Sequence, residues 1–384
     1  MRPAFPRTWV EIDAAALRHN VAEFRKLIGP KVSLMAVVKS NAYGHGLVQV
    51  AKQLASYRPP APSNQLWFGV DSIVEALRLR REGIKNPILV LGYTLPHRLQ
   101  EAARQRITVT VSHFEGLALL AKLHKPPAFH LKLDTGMHRQ GFQEYEILEL
   151  IAALKRYRLV PAGVYSHFAA AENRKFSQKQ IAVFGRCLAM LRLAGIRPGI
   201  RHLAATGGTR YYPKAHYDMV RIGLGLYGCL PSRDTRYVAR IRVRPVMTWK
   251  TIVGEVKQVK KGEGIGYDLT ERFRRDSTIA ILPIGYWHGF DRGLSSTGEL
   301  LIHGRRCKVM GRVSMDMTCV DITDINGNPK PETRNSKVRI GDEVVIVGRQ
   351  GREFIGANEM AEKIGTTAYE VLTRVNPLIR RVVR

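Results

Sequence analysis

The stretch Leu34-Met35-Ala36-Val37-Val38-Lys39-Ser40-Asn41-Ala42-Tyr43-Gly44-His45-Gly46 carries an apolar run at 34–38 that reads as a buried strand. The run closes on Lys39 and then turns through Asn41, Gly44 and Gly46 into a helical pattern. A lysine at the end of a buried strand is costly unless its charge is satisfied or its chemistry is used. Lys39 therefore reads either as an ion-paired residue or as a reactive amine.

Outward from this point strand and helix patterns alternate. Residues 8–12 read as a short strand, and Asp13 suits the N-cap of a helix whose apolar face carries Leu17, Val21, Phe24 and Leu27/Ile28. Strands are expected at 34–38, 67–70, 88–91, 107–111, 129–133, 160–165, 200–203 and 219–222. Helices are expected between most of them, at 72–81, 113–123, 145–155 and 179–194. Eight strands spaced in this way fit a closed β/α barrel better than an open doubly wound sheet. After about residue 240 the pattern becomes mainly β, with strands at 247–257, 278–281, 300–302, 308–310, 318–322 and 343–347. Gly304-Arg305 suits a hairpin tip. Residues 324–337 read as an exposed loop, 340–344 as the approach to a barrel strand, and 357–364 as a closing helix. The expected division is a barrel over 1–240 and a mainly β domain over 241–384, with the strand at 8–12 packing on the second.

The 384 residues exceed one ordinary core, which agrees with two domains. No apolar run reaches the ~18 residues that span a bilayer. The start, Met1-Arg2-Pro3-Ala4-Phe5-Pro6, lacks an apolar signal core, so a cytoplasmic location is expected. The four cysteines, Cys187, Cys229, Cys307 and Cys319, show no Cys-x-x-Cys spacing; neither a metal site nor a disulfide framework is expected. The net charge of +29 invites a nucleic-acid reading. The charge is scattered, however, in clusters such as Arg78-Arg80-Arg81, Arg272-Arg274-Arg275 and Arg380-Arg381-Arg384, without the interleaved aromatics of a base-stacking surface. Arg240, Arg242 and Arg244 alternate with other residues as on the solvated face of a strand. Weak, salt-sensitive binding to polyanions is expected, and no dedicated nucleic-acid role.

A β/α barrel places its reacting groups at the C-terminal ends of its strands. Lys39 lies there, as do Lys132 and Arg139 around the fifth strand, His167 after the sixth, Thr206 after the seventh, and Arg221, Gly223, Leu224 and Gly225 at the eighth. Backbone N–H groups around Gly223, with the hydroxyls of Thr206 and Tyr43, could receive a phosphate. Each signal alone is weak; order and spacing around Lys39 give them weight together.

From Thr8-Trp9-Val10-Glu11-Ile12-Asp13 to Tyr369-Glu370-Val371 the chain resembles the alanine racemase family. The resemblance implies a TIM-type (β/α)8 barrel with a C-terminal mainly β-barrel domain, pyridoxal 5'-phosphate (PLP) as cofactor, and interconversion of L- and D-alanine by two bases, supplying D-alanine for peptidoglycan. It implies a homodimer with shared active sites. On this likeness Lys39 is the Schiff-base lysine and one base, its neutral amine favoured by desolvation. Tyr267, in Gly264-Ile265-Gly266-Tyr267-Asp268, is the second base and reaches the partner's site. A tyrosine needs help to act as a base near neutrality, and a polar chain through Arg221 and His167 is expected to give it. Arg221 also faces the pyridine nitrogen; it does not give up its proton, so that nitrogen stays unprotonated and the ring is a weaker electron sink. Tyr43, Tyr369, Thr206, Gly223 and Leu224 are implied as phosphate contacts. Arg139 is implied beside the phenolic oxygen of PLP, Met315 and Asp316 beside the substrate carboxylate, and Lys132 at a position carbamylated in many members.

Departures are few. Ala205 stands where many members carry asparagine, Glu172 where aspartate is common, and Tyr286-Trp287-His288-Gly289 where Tyr-Ala-Asp-Gly is usual. They leave substrate breadth and access open. A broad-specificity or serine-preferring racemase and a fold-related PLP-dependent basic amino-acid decarboxylase remain alternatives, the second opposed by Tyr267 and by an arginine at the nitrogen position.

Overall fold

The computed structural model describes residues 6–57, 65–230, 241–326 and 337–384. The first five residues, Arg240 and most of the 324–337 loop lie outside the described residues. The chain forms two compact units, one of Ala15–Ala42 and Val50–Arg244, the other of Met1–Ala14, Tyr43–Gln49 and Pro245–Arg384.

After β1 (Thr8–Ile12), the barrel strands follow in chain order: β2 (Ser33–Val37), β3 (Trp67–Val70), β4 (Ile88–Val90), β5 (Val109–Val111), β6 (Phe129–Lys132), β7 (Gly163–Tyr165), β8 (Ile200–His202) and β9 (Met219–Ile222). Every pairing among β2–β9 is parallel, in the orders β4-β3-β2-β9 and β5-β6-β7-β8. Backbone bonds from Val90 N to Thr108 O (2.9 Å) and from Arg221 N to Ala204 O (3.0 Å) close the two arcs into one eight-stranded barrel. The expected barrel is therefore what forms; β4–β8 are shorter than the apolar runs because the pairing stops where each run bends into its loop, while β2, β3 and β9 keep the expected lengths.

Apart from β8, where Arg201 is exposed, the strands are largely buried on both faces, as a parallel sheet under helices requires. Toward the interior, Met35, Leu89 and Met219 pack together with Trp67, Leu91 and Ile200. Above them the filling turns polar: Tyr165 stacks on His202 with ring centroids 4.7 Å apart, and Lys132 Nζ sits 4.4 Å over the Tyr165 ring. A barrel interior is a packed core, so polar side chains there must find partners among themselves. Outside, the helix Ala14–Ile28 buries Leu17, Val21 and Phe24 fully, as its periodicity predicts, and Ile28 nearly so, while Leu27 is partly exposed.

In the second unit the sheet runs β11-β14-β17-β16-β15-β18-β10-β1-β20, formed by β10 (Met247–Ile252), β11 (Glu255–Val259), β14 (Ser277–Leu282), β15 (Glu299–Ile302), β16 (Arg305–Met310), β17 (Thr318–Asp321), β18 (Glu343–Gln350) and β20 (Arg380–Val383) with β1; β19 (Glu353–Ile355) pairs with β18, and β12 (Gly264–Ile265) with β13 (Glu271–Arg272) makes a separate ribbon. Here β1 pairs antiparallel with β10 and parallel with β20. The single strand expected at 247–257 is two, because Gly254 N turns to Ile281 O and starts a new pairing with β14. The hairpin tip is His303-Gly304, not Gly304-Arg305; both residues have positive φ (50° and 72°), the geometry of a two-residue turn between twisted strands. The closing helix spans Ala357–Lys363, and a further helix, Ala368–Thr373, has too short a periodic pattern to be read in advance.

Arg242 and Arg244 are exposed, but they belong to no strand. Their backbone N–H groups go to side chains of the first helix, Glu23 Oε2 (3.2 Å) and Asn20 Oδ1 (2.7 Å), which takes the place of a ladder.

Gly163 tests the packing of the interior. A Cβ there would lie 2.6 Å from the His130 ring. Gly163→Ala is expected to cost about 1–3 kcal/mol through overpacking, read as a lower midpoint in urea denaturation.

Candidate active site

Lys39 opens a turn that the chain pattern does not announce. Ser40, Asn41, Ala42 and Tyr43 all have φ between 52° and 55°, a left-handed run in which no residue is glycine. Each such residue costs on the order of 1–2 kcal/mol. The run is held by Ala42 N to Val38 O (2.8 Å), by Asn41 N to Glu75 Oε1 (3.3 Å), and by complete burial of Ala42. Glu75 also receives Asp71 N (2.9 Å), so one carboxylate ties the turn to the end of β3. The glycines at 44 and 46, expected to make the turn, do have positive φ but only continue it. Lys39 itself is not desolvated: its side chain is 37% exposed and its Nζ lies 3.4 Å from Asp71 Oδ1. The expectation of a buried amine is corrected in this respect.

Arg221, on β9, is 3% exposed and has no carboxylate partner among the described residues. Nη2 donates to Ser166 O (2.6 Å), Leu203 O (3.0 Å) and His167 Nδ1 (3.0 Å); Nη1 donates to His202 Nδ1 (2.8 Å). A guanidinium only donates, so both histidines accept at Nδ1 and carry their proton on Nε2. His202 Nε2 then donates to His130 Nδ1 (2.8 Å), which leaves the His130 proton on Nε2, buried and without a partner among the described residues. Burial and the Arg221 charge push His130 down to about 3. The same two causes, in the same order, hold His202 well below the usual histidine range. His167 is lowered by burial first, then by the charges of Arg221, Lys132, Arg139 and Lys39. Burial also lowers Arg221 itself to about 10 and pushes Tyr165 up to about 12.

Lys132 is buried at the end of β6. Desolvation, then the charges of Arg221 and Arg139, hold its amine well below the ordinary lysine value. Arg139 is exposed beyond the loop 134–138, whose backbone N–H groups at 136, 137 and 138 all point to Asp134 Oδ1. Thr206 Oγ1 accepts from Gly223 N and Gly225 N, both at 3.3 Å. Only glycine fits at 225, because a Cβ would meet Phe24 at 2.5 Å and the Thr206 methyl at 2.8 Å. The pairing of β9 ends at Ile222, so Gly223, Leu224 and Gly225 form the turn beyond the strand rather than its end, with Gly223 as cap of the 3-10 turn Leu224–Tyr227.

In the second unit, the Tyr43 and Tyr369 rings lie 5.9 Å apart. Tyr267 stands 68% exposed in the turn between Gly264–Ile265 and Glu271–Arg272, braced by Arg312 Nη1 on Asp268 Oδ2 (3.0 Å). It lines a cleft of about 610 Å³ together with Tyr286, Asp291, Arg292, Ser314 and Arg374. Met315 and Asp316 are exposed in the turn closed by Ser314 N to Met317 O (3.0 Å), which also receives Tyr286 N and Trp287 N. His288 uses Nδ1 to accept from Gly285 N (3.2 Å). Glu172 is exposed.

Residues 12–231 match the family model for the alanine racemase N-terminal domain, and residues 246–383 match that for the C-terminal domain. The chain belongs to the alanine racemase family. It is 40% identical to alanine racemase of Symbiobacterium thermophilum, over 100% of this chain and 97% of that protein. It is 39% identical to that of Carboxydothermus hydrogenoformans, over 100% of both. Among solved structures, alanine racemase from Bacillus anthracis with bound L-Ala-P superposes with a TM-score of 0.89 at 33% identity, over 100% of this chain and 96% of that one.

Alanine racemases depend on PLP, and the barrel's residues fit it. Lys39, Arg139 and Arg221 are close enough to act together on His167, a concentration of cations suited to a phosphate-bearing group. The amine of Lys39 is accessible, and Arg221 Nε makes no hydrogen bond among the described residues. Among the described residues no group of three or more His, Cys, Asp or Glu could hold a metal.

Asp71, Glu75, Tyr165, His130 and His202 escaped sequence reading. Asp71 follows directly on β3, a position that in a barrel marks a site residue. His130 is two residues before Lys132 and His202 is on β8; strand alternation alone turns both inward.

The histidine pair makes a pH prediction. A group whose folded value is depressed contributes stability above its unfolded value of about 6.5, which is lost as pH falls toward the folded one. The denaturation midpoint should therefore drop steadily from pH 6.5 toward pH 4, by up to about 1.4 kcal/mol per pH unit for each buried histidine. His130→Asn should flatten that slope.

Proposed function

We propose that this chain interconverts L- and D-alanine by a two-base mechanism with Lys39 and Tyr267 as the bases. The observation that carries the reading is the buried, carboxylate-free Arg221 joined to His167 at 3.0 Å, near enough to the Lys39 charge for all three to act as one electrostatic group. Bound PLP would supply the electron withdrawal that acidifies the α-hydrogen of the substrate.

The remaining work falls to the chain's residues. Lys39 takes or returns the proton on one face of the α-carbon and Tyr267 does so on the other, which inverts the centre. Arg221 would face the ring nitrogen of the cofactor as a donor that does not give up its proton, so that nitrogen would stay unprotonated. His167, neutral and protonated on Nε2, carries the influence of that cation toward Tyr267. Thr206, Gly223 and Leu224, with Tyr43 and Tyr369, would hold the phosphate; Arg139 would serve the phenolic oxygen and the substrate; Met315 and Asp316 would meet the substrate carboxylate. Lys132 has the neutral amine that reacts with carbon dioxide, giving a carbamate and one proton; the anion so formed would balance Arg221 and Arg139.

Residues 1–240 act as the cofactor-binding part and 241–384 as the β domain, with β1 belonging to the latter by its pairing with β10. Tyr267, Leu269, Trp287, Met315 and Met317 are all more than half exposed, an apolar surface suited to a second copy of the chain. We read it as the interface of a homodimer in which Tyr267, Met315 and Asp316 serve the partner's site. No helix among the described residues is long and apolar enough to cross a membrane. A cytoplasmic enzyme supplying D-alanine for peptidoglycan is the corresponding role.

Lys39→Ala is expected to remove the borohydride-sensitive visible band of bound cofactor and to abolish racemisation followed by optical rotation. Tyr267→Phe should keep the band and lower kcat/KM about 10²–10⁴-fold, the range of one acid-base group. Both directions fall alike, because the equilibrium constant between mirror images is unity; the α-deuterium isotope effect should rise more from L-alanine than from D-alanine. Mixing the two inactive proteins should restore part of the activity if each site takes residues from both chains. Wild-type rates in Tyr267→Phe would refute the two-base assignment. For Lys132, ¹³C-bicarbonate should give a carbamate resonance that is absent from Lys132→Arg.

A further inference from the structure

Arg381 is a second buried arginine with no carboxylate partner among the described residues, 9% exposed on β20. All five of its N–H groups end on main-chain carbonyls. Nε and Nη2 both donate to Gly44 O, at 3.1 and 2.9 Å. Nη1 donates to Asn376 O (2.7 Å) and Ile379 O (2.5 Å), and Nη2 also donates to Val375 O (3.0 Å). A planar fork with five donors is the side chain that can hold four carbonyls from two separate segments in one plane; a lysine has three donors and no plane.

The two segments are those that carry Tyr43 and Tyr369. Gly44 follows Tyr43 directly, has φ of 82°, and packs so close that a Cβ would lie 2.0 Å from Leu372 O. Leu372 belongs to the helix Ala368–Thr373, three residues beyond Tyr369. Gly46 also faces the clamp, its Cβ direction 3.3 Å from Arg381 Cγ. Tyr43 is buried to 8% and its ring meets that of Tyr369. Its left-handed backbone is a conformation that persists only where the surroundings over-determine it.

We propose that Arg381 is a positioning residue for phosphate recognition: a guanidinium clamp that sets the spacing of the Tyr43 and Tyr369 hydroxyls. This rests on the reading of those two tyrosines as phosphate contacts. Loss of the clamp should let the segment at 43–46 relax from the left-handed path and separate the two phenols. Affinity for the phosphate of the cofactor then falls, while affinity for the rest of the cofactor does not.

The test compares PLP with pyridoxal, which has the same aldehyde and ring but no phosphate. Dissociation constants for both are measured by absorbance on cofactor-stripped, reconstitutable enzyme, for the wild type, Tyr43→Phe and Arg381→Lys. The ratio of the two affinities is expected to fall about tenfold or more in Arg381→Lys, and to fall also in Tyr43→Phe, with pyridoxal affinity nearly constant. A general loss of structure would weaken both ligands together. A ratio that falls in Tyr43→Phe but stays at the wild-type value in Arg381→Lys overturns the clamp alone. A ratio unchanged in Tyr43→Phe overturns the phosphate reading beneath it, and the clamp with it. If Arg381→Lys does not fold, Arg381→Gly is prepared with guanidinium chloride at low concentration. There the ratio should fall on dialysis and return with guanidinium but not with methylammonium at equal ionic strength. Equal recovery with both cations overturns the proposal.

Discussion

A permanent cation buried in the barrel without a counter-ion governs the chemistry around it. Arg221 places its Nη donors on two carbonyls and two imidazoles, and the surrounding groups follow from that choice. Each imidazole must accept, so His167 and His202 are neutral and their protons are placed; His202 in turn places that of His130. Desolvation, with the same positive field added, holds the Lys132 amine well below the ordinary lysine value. A carboxylate beside Arg221 would cancel that field and leave burial alone to hold the histidines neutral. The behaviour of His167, His202, His130 and Lys132 is thus one electrostatic arrangement with Arg221 at its centre.

Backbone geometry imposes a second constraint. The run Ser40–Tyr43 is left-handed without a glycine, and such strain persists when neighbours leave no alternative. In the barrel unit those neighbours are Glu75, which receives the backbone N–H of Asn41, and the fully buried Ala42. Asp71, whose backbone N–H goes to the same Glu75, presents its carboxylate to Lys39. A salt bridge of this exposure contributes little to stability; its effect is to hold the amine in place while leaving it reachable.

The large positive charge looks different once the side chains are located. Arg80 donates to four main-chain carbonyls, at Ile84, Asn86, Gln105 and Arg106. Arg78 pairs with Glu82, Arg275 with Asp324, and Arg384 with Glu11. Arg306 gathers Glu299, Glu353 and Glu359 around one guanidinium. Several arginines that look like a polyanion surface in the linear chain are therefore fasteners of loops and strand ends, because a five-donor fork can close carbonyl groups that water would otherwise have to satisfy.

The alternation of apolar runs and helical faces was enough to place eight parallel strands and to recognise a β domain after them, since buried strands and amphipathic helices are local, periodic signals. The motif around Lys39 was legible for the same reason, together with the positions of His167, Thr206 and Arg221 just beyond or within their strands. What the chain pattern left open was set by contacts far apart in sequence. Asp71 and Glu75 lie more than 30 residues from the turn they hold. The two histidines joined to Arg221 through one another are 72 residues apart, and Arg381 is 337 residues from the carbonyl it grips. The amino-acid sequence by itself determined the fold class and the family, and singled out Lys39 as the candidate reactive amine. Only the tertiary structure decided how exposed that lysine is, which nitrogen of each histidine carries the proton, and that four residues with side chains would adopt a left-handed path, because burial, charge and hydrogen-bond pairing are properties of neighbours in space.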